Sequence, residues 1–118
     1  NAYKSIFEIL MTMKKYKAYS FVSVLKSMKK RDFPLSFGQN GFTLVFDFPN
    51  YEDIKMILNK VNEIVLKYNG KIYLTKDSII RKDKFKDLNS EFYNDEFIKL
   101  RKKSKYFFNS LQSKRLGL

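Results

Sequence analysis

The chain has 118 residues, 44% apolar and 17% aromatic, which supplies enough apolar side chains for a hydrophobic core and excludes disorder throughout. Cysteine and histidine are absent, which excludes disulfides, thiolate nucleophiles, Cys-ligated metals and histidine acid–base chemistry within this segment. A net charge of +12 invites a nucleic-acid or anionic-membrane partner, but lysine outnumbers arginine 20 to 4 and is scattered, which favours a solvated lysine-rich surface.

The first half of the chain predicts a helix followed by two strands. Residues 3–15 place apolar side chains at helical spacing. Residues 19–28 are rich in aromatic and β-branched side chains on both faces, which predicts a strand buried on two sides. After a loop with Pro34 and Gly38, residues 41–48 alternate apolar and polar side chains. Two strands joined by this loop are expected to pair antiparallel.

The longest helical pattern covers residues 52–68, where one wide apolar stripe repeats at i, i+3, i+4 and i+7. Asn50 is the predicted N-cap, and Asn69-Gly70 is the predicted C-terminal stop. Alternation then predicts a strand over residues 71–75. The fold class is therefore α+β, with antiparallel strands, a long amphipathic helix packed on one face, and a helical C-terminal tail.

The tail is basic and sparsely apolar. It predicts three helical segments, residues 82–93, 95–103 and 104–116, the last anchored by four apolar side chains: Phe107, Phe108, Leu111 and Leu116. Such a tail has too few apolar residues for a core of its own, so we expect it to lie against another surface. Its mixture of aromatic and basic residues is also compatible with stacking on bases or binding lipid headgroups, but packing of the aromatic side chains on a neighbouring domain is favoured.

Lys76 is the main candidate for chemistry, because it follows Tyr73 at the end of the last predicted strand, where side chains often meet ligands. In a regular strand Tyr73 and Lys76 face opposite sides, so they share a site only if the strand ends or twists at Thr75. The alternative is a surface lysine that closes a strand. The four glycines never cluster into a phosphate-binding loop, and the sequence predicts no metal site.

The order of several short motifs, rather than any one of them, resembles a known protein family. Gly41-Phe-Thr-Leu-Val-Phe-Asp-Phe-Pro49 precedes the long helix, and Gly70-Lys-Ile-Tyr-Leu-Thr-Lys-Asp-Ser78 follows it; Ser113-Lys-Arg-Leu116 ends the chain. This order resembles the C-terminal end of FAD-dependent oxidases of the vanillyl-alcohol-oxidase type, and is most similar to their decaprenylphosphoryl-β-D-ribose 2′-oxidase branch. The resemblance covers roughly residues 18–118.

The resemblance implies a division of the chain and a set of site residues. Residues 3–70 would end a substrate (cap) domain, and residues 71–118 would return to an FAD-binding domain encoded upstream. Tyr73 and Lys76 match cofactor-binding positions, and Lys76 would be the catalytic cation beside the flavin. Thr43 and Val45 match strand positions on the substrate side.

The implied function is therefore a C-terminal fragment of an FAD-dependent oxidoreductase that oxidises an alcohol, on a sugar or sugar-lipid, by hydride transfer to flavin. Its partners would be the N-terminal FAD-binding domain and the alcohol substrate, with no specific nucleic acid. The fragment alone is expected to be inactive, since it lacks a pyrophosphate loop. Alternatives are a basic α+β nucleic-acid-binding module and an adaptor domain without a ligand. No apolar run reaches the ~18–20 residues that span a bilayer; we expect a cytoplasmic location, with peripheral membrane association left open.

Overall fold

The computed structural model of the chain describes residues 1–32, 35–89 and 96–118. In chain order the elements are α1 (Ala2–Lys15), β1 (Val22–Met28), β2 (Gly41–Asp47), α2 (Ile54–Lys67), α3 (Lys82–Leu88), α4 (Glu96–Lys103) and α5 (Leu111–Leu116). The predicted α+β class is confirmed, including the antiparallel strands, the long amphipathic helix and the helical character of the tail.

The two strands pair antiparallel in a register that runs from Val22 opposite Asp47 to Met28 opposite Gly41. Because side chains alternate along a strand, three apolar residues of β2 lie on one face of the sheet: Phe42, Leu44 and Phe46. The helices pack on this face at Leu44 and Phe46. The pairing of the two predicted strands is therefore confirmed, together with the alternation in the second one.

A first core forms where α1 and α2 pack against that face of the sheet. Its buried residues are Ile9, Met13, Ala18, Ile57 and Ile64, with Leu44, Phe46 and Phe48 packed around them. The helical spacing of the apolar side chains brings each helix's buried residues to one side. The predicted C-terminal stop of the long helix is also confirmed, because Asn69 takes a positive φ of 53° and the Gly70 N–H donates to the Val65 carbonyl at 2.8 Å.

A second core belongs to the tail, which was expected to have none. Ile80, Phe85, Leu88 and Leu116 are buried together, and Val65 and Leu66 of α2 pack against them. The tail thus lies against α2 of the same chain, and it contributes all four buried side chains itself. The tail can form this second core because Ile80 and Leu88 lie on either side of Phe85 in the sequence.

The strand predicted at residues 71–75 is wrong. Residues 74–76 form a turn, in which the N–H groups of Lys76 and Asp77 donate to the Tyr73 carbonyl at 3.0 and 3.2 Å. The Asp77 carboxylate also accepts hydrogen bonds from the Ile79 and Ile80 N–H groups at 3.1 and 2.9 Å. An aspartate that binds the backbone two and three residues onward favours a turn over a strand, and here that preference outweighs a five-residue alternation.

Two burial predictions are also wrong. The first strand is not buried on both faces, since Leu25 on the helix side is 54% exposed and Val22 on the opposite side is 52% exposed; the helices pack over β2 rather than over β1. Of the four predicted tail anchors, Phe107, Phe108 and Leu111 are exposed and only Leu116 is buried.

Several predicted element boundaries shift. The helix expected over residues 104–116 is reduced to α5, because residues 104–106 turn and residues 107–110 are irregular. The helix expected over residues 82–93 ends at Leu88, and its continuation into residues 90–95 lies outside the described residues. The helix expected at residues 95–103 corresponds to α4. The predicted N-cap Asn50 is replaced by Asp53, because a turn from the Tyr51 carbonyl to the Ile54 N–H precedes α2.

A polar contact joins α1 to α2. The Lys67 ammonium donates to both carboxylate oxygens of Glu8, at 2.9 and 2.8 Å, and the Tyr68 hydroxyl donates to one of them at 2.8 Å. The hydrogen bond from Lys67, supported by that from Tyr68, holds the pKa of Glu8 below its ordinary value. Glu8 therefore stabilises the fold above its ordinary pKa, and this contribution is lost as pH falls through the lowered value.

We predict that Glu8→Gln weakens the pH dependence of stability on the acid side. At neutral pH the variant should melt slightly below the parent, because the ionic contact is exposed and such pairs contribute little. Between pH ~5 and pH ~3 the two melting curves should converge as Glu8 of the parent becomes protonated. Thermal melts across this range measure the effect. Glu63→Gln, on the exposed side of α2, is the matched control and should melt like the parent at every pH; curves for Glu8→Gln that stay parallel to the parent would contradict the prediction.

Candidate functional site

A cleft of about 400 Å³ lies between β2, the first turns of α1, the middle of α2 and residues 70–79. Its apolar lining includes Ile6, Leu58 and Val61. Polar groups line it too, among them the side chains of Asn40 and Asn62. An apolar cleft with a few polar groups is the usual form of a small-molecule site. We call it the β2 cleft.

All four site residues predicted from the sequence line the β2 cleft: Thr43 and Val45 from β2, and Tyr73 and Lys76 from the segment after α2. The two pairs are separated by α2, which carries the chain from the end of the strand back to the cleft. Tyr73 and Lys76 lie on the same cleft because the chain turns at residues 74–76. The condition set for a regular strand does not arise, because residues 71–75 form no strand and both residues line the cleft across a turn.

The Lys76 side chain is exposed, and its ammonium forms no hydrogen bond or ion pair with the described residues. Tyr73 is held in place by its ring, whose centroid lies 4.3 Å from that of Phe37 at an angle of 31°. The cleft therefore offers one unpaired cation next to a positioned aromatic ring. Such a cation suits a ligand that carries or develops negative charge.

The next residue, Asp77, does not neutralise this cation. The Arg115 guanidinium donates to the Asp77 carboxylate at 2.7 Å, and the Asp77 side chain is only 4% exposed. Together with the two backbone N–H donors, this contact uses the carboxylate within the fold. Asp77 thus shapes the turn that carries Lys76 without presenting a negative charge to the cleft.

Thr43 and Val45 contribute differently from the other two residues. Strand alternation puts their side chains on the face opposite Leu44, away from the first core. In the described part of the chain β2 pairs with β1 alone, so its other edge keeps backbone N–H and C=O groups without a strand partner. We infer that this edge of β2 is the hydrogen-bonding wall of the cleft.

Sequence reasoning did not find the rest of the lining. Phe37 and Asn62 are examples: one follows a loop and the other lies on a helix, and neither stands in a pattern that indicates a ligand. Their place in the cleft depends on how α2 and the long loop pack. The alternation and periodicity of the sequence contain no signal of it.

The arginines of the tail are engaged inside the fold. Arg101 donates to the carbonyls of Phe108 and Leu118 at 2.7 and 3.0 Å and to the Asn109 side chain at 2.9 Å. Arg115 is bound to Asp77. Neither guanidinium is therefore available to contact base edges, which is the interaction that sequence-specific nucleic-acid recognition uses most.

A scan against models of protein families finds none that matches the chain. Among the described residues, no group of three or more Asp and Glu side chains is arranged to hold a metal ion. In the same residues no helix is both long and apolar enough to cross a membrane.

We predict that Arg115→Met destabilises the protein by about 3 kcal/mol. The substitution leaves the buried Asp77 carboxylate without its cation; the expected loss lies at the low end for buried pairs because Arg115 keeps 30% of its side chain exposed. Urea unfolding measures the free-energy difference. Arg81→Met is the matched control, since the Arg81–Asp83 pair is 72% and 53% exposed and should contribute at most ~1 kcal/mol. Equal losses in both variants would show that the Asp77 contact does not organise the turn.

A second prediction concerns the net charge of the chain and its binding to nucleic acids. If the net charge of +12 is surface composition, DNA and RNA should bind weakly, without sequence preference, and the affinity should fall steeply with salt. Fluorescence anisotropy with labelled single- and double-stranded oligonucleotides over a salt series tests this. Sequence-selective binding that persists above physiological salt would instead support a nucleic-acid-binding module.

Proposed function

We propose that this chain is the C-terminal segment of an FAD-dependent oxidoreductase of the vanillyl-alcohol-oxidase type, and that the β2 cleft is part of the wall of its substrate pocket. The observation that carries the proposal is that Thr43, Val45, Tyr73 and Lys76, matched to the family from two separate stretches of sequence, line one cleft. An adaptor domain without a ligand has no use for this arrangement. The parent enzyme would oxidise an alcohol on a sugar or sugar-lipid.

Lys76 and Tyr73 of the β2 cleft match the chemistry of a flavin ring. A flavin ring is planar and largely apolar, and it gains negative charge when it accepts a hydride from an alcohol. Lys76 supplies an unpaired ammonium, and Tyr73 lies beside it with its ring fixed against Phe37. The chain has no cluster of glycines to bind a pyrophosphate, so the rest of the cofactor would be held by the upstream domain.

Each residue then has a defined task in the proposal. Lys76 offsets negative charge that develops on the ring, an interaction that is stronger in the transition state than in the ground state. Tyr73 positions the ligand by contact with its exposed side. The edge of β2 at Thr43 and Val45 offers backbone hydrogen bonds to the hydroxyl groups of a sugar.

The proposed division at residue 70 is compatible with the packing. Residues 71–118 form the second core, and they contact α2 through Val65 and Leu66. Exposed aromatic side chains of the tail, Phe107 and Phe108, leave apolar surface for an upstream domain to cover. The FAD-binding domain of the same polypeptide is the partner that we propose for this surface.

We predict that Lys76→Ala slows flavin reduction by ten- to a thousandfold in the polypeptide expressed with its native upstream sequence. The estimate takes ~1.5–4 kcal/mol for the loss of one preorganised electrostatic contact. Single-turnover loss of oxidised-flavin absorbance on mixing with substrate measures the rate. Thermal melts recorded in parallel establish that the variant is folded.

Lys82→Ala is the matched control, because Lys82 is an exposed lysine of α3 that does not line the β2 cleft, and its loss should leave the rate unchanged. Equal rates in the parent and both variants would show that Lys76 is an exposed turn lysine without a catalytic role. A native upstream sequence without a flavin-binding domain, or a purified polypeptide without flavin absorbance, would overturn the proposed function as a whole.

A further inference from the structure

α1 has a second apolar face, which points away from the first core. Ile9 and Met13 are buried on the inner side, whereas four large apolar side chains lie exposed at i, i+4, i+7 and i+8 on the outer side: Tyr3, Phe7, Leu10 and Met11. Tyr3 is 74% exposed and Phe7 66% exposed. We call these four residues the outer stripe of α1.

The outer stripe continues onto the sheet. The rings of Tyr3 and Phe42 lie 5.4 Å apart between centroids, and Phe42 is itself partly exposed. Leu25, which pairs with Leu44, lies on the same face of the sheet and is 54% exposed. The exposed apolar surface is therefore contiguous from α1 to β2, and it is too large to be explained as scattered surface residues.

The charges around the outer stripe are positive. Lys4 and Lys14 are exposed on α1, and their ammonium groups form no ion pair with the described residues. The helix has a single acidic residue, Glu8, whose carboxylate is held by Lys67 and Tyr68 on the α2 side. The outward side of α1 thus combines aromatic and aliphatic side chains with cations, and no carboxylate is left there to oppose an anionic surface.

The shape of the outer stripe favours a lipid bilayer over a peptide as its binding partner. Tyr3, Phe7, Leu10 and Met11 line neither the β2 cleft nor the shallower groove between α1 and α2. A convex helix face without a pocket suits a flat boundary between apolar and polar layers, in which aromatic rings and lysine stems both lie favourably. The net charge of +12 adds long-range attraction to anionic headgroups.

We propose that the outer stripe of α1 docks on an anionic lipid surface, with Phe7 and Met11 in the interface and Lys4 and Lys14 against the headgroups. The docking is independent of flavin and of the proposed oxidoreductase function. Because Ala2, Ser5 and Ile6 of the same helix line the β2 cleft, docking would also bring the mouth of the cleft close to the lipid.

The absence of tryptophan from the chain provides a direct probe. Phe7→Trp places a single tryptophan in the outer stripe, and Phe107→Trp places one in the basic tail, where the native ring is 81% exposed. With vesicles of equal phosphatidylcholine and phosphatidylglycerol, the emission of the Phe7→Trp protein should shift to shorter wavelength, and that of the Phe107→Trp protein should not. Vesicles of phosphatidylcholine alone should produce a much weaker shift.

A pair of charge variants separates docking through α1 from general attraction. Lys4→Glu with Lys14→Glu should weaken binding to the anionic vesicles by about thirtyfold or more. Lys55→Glu with Lys82→Glu lowers the net charge equally, at exposed lysines of α2 and α3, and should have a much smaller effect. Cosedimentation over a lipid series measures both affinities.

Three outcomes would overturn the proposal. The first is that no variant binds anionic vesicles, and the second is a spectral shift at position 107 without one at position 7, which would assign binding to the tail. The third is a dimer in sedimentation velocity that Phe7→Ser dissociates, because the outer stripe would then be covered by a second copy of the chain. None of these outcomes bears on Lys76 or on flavin, so a failure here leaves the proposed function standing.

Discussion

The Asp77 carboxylate organises the half of the molecule that follows α2. It accepts the backbone N–H groups of Ile79 and Ile80 and the guanidinium of Arg115, and it is almost fully buried. Ile80 is completely buried in the second core, and Arg115 lies on α5, so one side chain ties the turn, the core and the end of the chain together. A buried carboxylate needs these donors, since without them its desolvation would oppose folding.

The turn immediately before Asp77 decides where Lys76 lies. If residues 71–75 formed a strand, alternation would put Tyr73 and Lys76 on opposite sides. This turn, closed by the Lys76 and Asp77 N–H groups on the Tyr73 carbonyl, lets both residues reach the β2 cleft, while Ile72 and Leu74 pack against the second core. The alternation that suggested a strand thus has a different cause: Ile72 and Leu74 pack against the second core, and Tyr73 between them lines the cleft.

The outcome of the other sequence-based predictions follows from the length of each pattern. α1, α2 and the β1–β2 hairpin could be predicted because their apolar repeats run over many residues and end at turn residues such as Asn69. The turn at residues 74–76 could not, because its local hydrogen bonds to the Tyr73 carbonyl compete with a short alternating pattern that is typical of a strand. The exposure of Phe107 could not either, because it depends on how far the second core extends, and Phe107 lies outside it. For the β2 cleft, the sequence identified the candidate residues through resemblance, but their meeting on one cleft depends on the packing of α2 between them.

The sheet explains why so much apolar surface stays exposed. A two-stranded sheet covered on one face has little area to bury, and an isolated hairpin is marginally stable, so stability depends on the helices packed against it. α1 uses one side for this purpose and retains an apolar outer side that the core does not need. Surface residues without a structural role are free to become polar. The outward tyrosine, phenylalanine, leucine and methionine of α1 are therefore more readily explained if the outer stripe contacts a second surface. α1 would then have two contacts. Its inner side packs in the first core and lines the β2 cleft, and its outer side sets the orientation of that cleft relative to the lipid surface.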